Sequence, residues 1–94
     1  MRIRLSLFLD GLDFLTQNPC VKHIGGKEYE LCCDPSQLKL AGDGSPTIEG
    51  LFKFLNICEK HGVTFIILNT KIIFSNAVIS DGDHIELLAA IDGG

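Results

Sequence analysis

The chain opens and closes on period-2 alternation and carries a helical period in one stretch only, which narrows the fold class before composition is considered. In residues 3–9, Ile3, Leu5, Leu7 and Leu9 alternate with Arg4, Ser6 and Phe8, the signature of a strand with one buried face. In residues 85–91, Ile85, Leu87, Ala89 and Ile91 alternate with Glu86, Leu88 and Ala90. Between them, Thr47 is a good N-cap, and Ile48, Leu51, Phe52, Leu55 and Cys58 share one helical face with Lys53, Asn56 and Lys60 opposite. This predicts a helix to about His61, stopped by Gly62. Phe54 and Ile57 widen its apolar stripe, as expected of a helix lying on a sheet. Gly50 is expected to weaken it by about 1 kcal/mol relative to Ala.

Weaker signals fill in the order. Tyr29, Leu31 and Cys33 alternate with Glu28, Glu30 and Cys32 after Gly25-Gly26, a second strand expected to pair with the first as a hairpin. Residues 63–68 and 71–74 are apolar runs around Asn69-Thr70, a plausible tight turn. Residues 12–21 read as a short helical turn or loop. Residues 34–46, with Pro35, Gly42, Gly44 and Pro46, read as a long loop, either functional or an insertion. The order strand, strand, helix, strand, strand, strand predicts an α+β fold, one main helix packed on one face of a mixed sheet of four to five strands.

Composition bounds the function. Ninety-four residues, 46% hydrophobic, suit a single domain (1–94) and exclude disorder of the whole chain. Net charge is −4, and the eight Lys and Arg form no cluster, which argues against nucleic-acid binding and a polybasic membrane anchor. No apolar run reaches the ~18 residues of a membrane span, and residues 1–4 lead straight into the strand without a signal-peptide pattern. A cytoplasmic location and reduced cysteines are therefore expected.

Catalytic motifs do not emerge: there is no Gly-x-Ser-x-Gly, phosphate-binding glycine loop or His-Glu-x-x-His. Asp81 and Asp83 flank Gly82 and are expected to shape a turn. Cys32-Cys33 with Cys20, His23 or His61 suggests zinc only weakly, because adjacent strand residues point to opposite faces; no metal is expected. Cys58 and Cys33 are expected in the core and Cys32 exposed, which leaves open a persulfide relay through Cys32.

Ser80-Asp81-Gly82-Asp83-His84-Ile85-Glu86-Leu87-Leu88, closed by Gly93-Gly94, resembles the ending of the MoaD and ThiS sulfur-carrier family, shared with the ubiquitin-related modifiers. Thr47-Ile48 with Leu51 and Leu55, and Ile67-Leu68-Asn69, extend the resemblance. Ala89-Ala90 stand where typical MoaD proteins carry paired prolines. The resemblance implies a ubiquitin-like β-grasp fold with a flexible C-terminal tail (92–94). It also implies a sulfur carrier whose Gly94 carboxylate is adenylated and then thiocarboxylated, for cofactor biosynthesis, as in the small subunit of molybdopterin synthase. Gly93 and Gly94 lack Cβ atoms and suit a narrow channel.

On this reading the chain is a substrate, not an enzyme, and holds no permanent cofactor; ATP is used by the activating partner. Implied partners are a ubiquitin-activating-type adenylating enzyme, a sulfur donor such as a cysteine desulfurase or rhodanese, and the large subunit of molybdopterin synthase. The alternatives are a modifier joined to lysines through Gly94 and a non-catalytic binding module. In a β-grasp sheet the first and last strands are neighbours, so Phe8 and Leu88, both at the polar phase, would lie together on the face away from the helix. With Ala90 and Arg4 they form the expected partner surface.

Overall fold

In the computed structural model, residues 1–39 and 44–90 are described. Among them, β1 (Arg2–Phe8), β2 (Val21–Gly25) and β3 (Glu28–Cys32) precede one α-helix, α1 (Ile48–Leu55), and β4 (Val63–Leu68), β5 (Lys71–Ile73) and β6 (His84–Ala89) follow it. The strands form one mixed sheet in the order β2-β3-β1-β6-β4-β5. β1 and β6 run parallel at its centre, and every other pair is antiparallel. The α+β class and the single helix are as expected. The strand count is six rather than four to five.

The additional strand is β2. It is an edge strand in which only Val21 is buried, and with one core position it shows no alternation to read. It lies between β1 and β3 in the chain, so those two strands pair antiparallel as expected without forming a simple hairpin.

The helix begins as expected: Thr47 Oγ1 accepts the Gly50 N–H at 3.1 Å. It ends six residues earlier than its apolar period suggests. Asn56 takes the left-handed conformation at φ 61°, and the Ile57 N–H reaches back to the Phe52 carbonyl at 2.9 Å, a helix ending usually signalled by glycine. Ile57 is thereby buried. Cys58 instead opens a 3-10 turn, Glu59–His61, whose stop is Gly62 at φ 76°. Cys58 is exposed, which corrects its expected place in the core.

Gly50 has a use that propensity hides. A Cβ there would sit 1.8 Å from the Leu38 carbonyl oxygen, so only glycine lets α1 close onto the 3-10 turn Pro35–Leu38. Part of the expected 34–46 loop is therefore structural: Leu38 is fully buried, and Asp34 caps the turn by accepting the Ser36 N–H at 3.0 Å. Residues 40–43 of that loop lie outside the described residues.

Ile3, Leu5, Leu7, Leu31, Ile85 and Leu87 form the floor of the core, and Ile48, Leu51 and Leu55 from α1 belong to the same buried cluster. Burying a side chain of this size contributes about 1.5–3 kcal/mol. Among the described residues no helix is long and apolar enough to cross a membrane.

Candidate functional site

The face of the sheet opposite this core carries the candidate site. In β1 the helix side takes Ile3, Leu5 and Leu7, so Arg2, Arg4, Ser6 and Phe8 fall on the other side. The parallel register sets Phe8 opposite Leu88, and Leu88 in turn opposite Phe65 of β4. An apolar row thus crosses three strands. Phe8 is 43% exposed and Phe65 45%. The next row runs Ser6, Glu86, Ile67 and Ile72 across β1, β6, β4 and β5, with Ile72 exposed at the edge.

Phe8 and Leu88 are therefore brought together, as the sequence suggests. Ala90 is exposed at the end of β6, its N–H donating to Thr64 Oγ1 at 3.1 Å. Arg4 lies on the same face but is occupied: its Nε is 3.2 Å from Glu28 Oε1. Gly93 and Gly94 lie outside the described residues, as does the expected tail (92–94). Lys27 places its ammonium 5.9 Å from the Phe8 ring centroid, a weak cation–π contact at an open surface.

Sequence reasoning missed Phe65 and Ile72. Residues 63–68 offer no alternation, and a bulge between Val63 and Phe65 shifts the register. Val63 pairs with Ala89 while Phe65 pairs with Leu88, so two residues of the same parity face opposite ways. No period count finds that.

A polar cluster closes the other half of the face. The Ser6 hydroxyl donates to Glu28 Oε2 at 2.6 Å and lies 2.7 Å from His84 Nε2. A serine bonded to histidine invites comparison with a nucleophile and its base. Here, however, Ser6 is only 2% exposed, and the carboxylate sits on the hydroxyl rather than on the far imidazole nitrogen. The arrangement joins β3, β1 and β6; it offers no attacking group to a substrate.

Asp81 and Asp83 shape the turn into β6 as expected. Asp81 Oδ1 accepts the Arg2 N–H at 2.6 Å, and Asp83 Oδ2 accepts that of Ser80 at 2.7 Å. Asp83 Oδ1 also accepts from Asn69 Nδ2 at 2.9 Å, while Asn69 Oδ1 accepts the His84 N–H at 2.9 Å. These bonds hold Asn69 and Thr70 at φ 48° and 77°, the left-handed geometry a two-residue hairpin turn needs.

The cysteines separate by position. Cys32 is exposed and pairs with Arg2 at the start of β1, about 20 Å along the strand from Phe8. The four residues after Ala90 span at most about 14 Å. A direct hand-off from Cys32 to Gly94 within one molecule therefore falls short. Cys33 is half-buried, and burial followed by the neighbouring Cys20 thiol pushes its pKa up, disfavouring the thiolate. Among the described residues no three His, Cys, Asp or Glu side chains converge as metal ligands. Cys58 borders an open recess of about 460 Å³ between α1 and β4, with Glu49, Phe52 and Lys53.

Compared with family models, curated proteins and solved structures, the chain matches none.

Proposed function

We propose that the chain is a β-grasp sulfur carrier, activated and thiocarboxylated at Gly94 by an adenylating partner that docks on the open sheet face. The observation carrying this reading is the parallel pairing of β1 with β6, which sets Phe8 against Leu88 on the strand that leads into Gly93-Gly94. One helix against a mixed sheet with its first and last strands central is the arrangement a β-grasp carrier needs. β6 ends beside an exposed apolar row, and on this reading a partner held on that row receives the carboxylate.

The chemistry follows from what the chain supplies. The Gly94 carboxylate attacks the α-phosphorus of ATP, pyrophosphate leaves, and the resulting acyl-adenylate has a good leaving group where the free acid has none. The terminal sulfur of a persulfide on a donor such as a cysteine desulfurase or rhodanese attacks the acyl carbon and releases AMP, giving an acyl disulfide. A second thiol supplied by the partner enzymes then attacks the donor's own sulfur, closing a disulfide there and freeing the thiocarboxylate. The large subunit of a synthase of the molybdopterin type would then consume it. The buried state of Ser6 and the remoteness of Cys32 support a carrier without catalytic residues of its own.

The test is the intact mass of the protein from its own cells. A thiocarboxylate appears as one oxygen replaced by sulfur, lost when Gly94 is deleted. Higher-mass conjugates carrying a Gly-Gly remnant on lysine, with no sulfur form, would replace the carrier reading with that of a modifier.

A further inference from the structure

The apolar half of the open face has a carboxylate at its centre. Glu86 lies between Ser6 of β1 and Ile67 of β4 in register, with Leu88 next on its own outer side and Phe65 and Ile72 beyond. It is half-buried and, among the described residues, has no ion-pair partner. All eight Lys and Arg of the chain fall within the described residues, so none is left to supply one. The cations of this face are used or remote: Arg2 and Arg4 hold Glu30 and Glu28, Lys22 lies on edge strand β2, and Lys27 sits over Phe8. Lys71 pairs with Leu68, on the core-facing phase. The one basic side chain next along β6, His84, has its Nε2 on Ser6.

Docking an apolar surface here would strip water from Glu86, and a carboxylate desolvated without a counter-charge is costly. We infer that the partner surface this face fits is apolar around one basic side chain, best an arginine, which takes the Glu86 carboxylate between the Phe8–Leu88–Phe65 row and the Ile67–Ile72 pair. A guanidinium can pair with both carboxylate oxygens and lie against a neighbouring aromatic face such as Phe65. The lone charge thereby becomes a specificity device, because an apolar surface without the cation is rejected. A second copy of the chain is a poorer occupant: its own face offers another carboxylate and no free cation among the described residues, and the chain's net charge is −4.

The inference rests on the carrier reading, with the adenylating enzyme of the same organism as the partner. It is tested by that enzyme's ATP–pyrophosphate exchange, titrated with this protein. Glu86→Lys raises the KM for the carrier by at least about 30-fold, as expected for removing one partner of a desolvated charge pair. The kcat is unchanged, Glu86→Gln gives a smaller rise, and an arginine-to-glutamate change in the enzyme's docking surface restores binding of Glu86→Lys. Glu49→Lys, the same charge change on α1, leaves KM unaltered, and melting curves confirm that both lysine variants fold. An unaltered KM for folded Glu86→Lys, with the unsubstituted protein active, overturns the inference and leaves the carrier reading standing. Failure of the unsubstituted protein to support any exchange defeats the carrier reading and the inference with it. Self-association of the unsubstituted protein that Phe65→Ala abolishes, with KM insensitive to Phe65, assigns the face to a second copy and overturns the inference.

Discussion

The β1–β6 ladder has two faces made by alternate residues of the same two strands in one register, and they end in opposite conditions. On one, Ile3, Leu5, Leu7, Ile85 and Leu87 are sealed beneath the helix. On the other, Glu28 ties Arg4 to Ser6 and Ser6 in turn holds His84, while Phe8, Leu88 and Glu86 have little of the described chain over them. A sheet face is completed by whatever covers it, and the described residues cover one face and half of the other. On the proposed reading, the uncovered half is where the partner docks.

Substitutions can break that comparison. The largest stability loss is expected on the sealed face: Leu87→Ala leaves a cavity under α1 and lowers unfolding free energy by about 2–5 kcal/mol, read by urea denaturation. Next is the closed polar half, where Ser6→Ala removes the group shared by Glu28 and His84 and costs about 1.5–3 kcal/mol in the same assay. Gly50→Ala sharpens the contrast between local and tertiary effects. Propensity alone would gain the helix about 1 kcal/mol, but the Cβ would meet the Leu38 carbonyl at 1.8 Å. A net loss of about 1–3 kcal/mol is expected from such overpacking. Smallest is the open half, where Phe65→Ala shifts stability by no more than about 0.5 kcal/mol. A loss there as large as that of Leu87→Ala would mean that the two faces do not differ as described.

What could be read from the sequence, and what could not, follows from where the signals arise. The alternation of β1 and β6, the Thr47 cap and the Asn69-Thr70 turn are local patterns, and the structure carries each of them. The early end of α1 was hidden because Asn56, unlike glycine, does not advertise a left-handed residue, and the apolar period ran on through Ile57 into Cys58 by coincidence. β2 was hidden by its place at the edge, and Phe65 by a bulge. The roles of Gly50 and Ser6 depend on Leu38, Glu28 and His84, which lie 12, 22 and 78 residues away. Of the candidate site, Phe8 and Leu88 were legible because each breaks the polar phase of a clean strand; Glu86 fits that phase and gave no sign of standing among apolar neighbours.

The central claim is that the open apolar row receives the partner that activates the tail. Its most direct measurement is the KM of the adenylating enzyme for Phe8→Ala and Leu88→Ala, taken beside their melting curves. The account predicts that each raises KM about 30-fold or more, the equivalent of about 2 kcal/mol for an apolar anchor at an interface centre, with melting temperature nearly unchanged. Unchanged KM and unchanged stability in both variants would contradict it, because the row would then be incidental to activation.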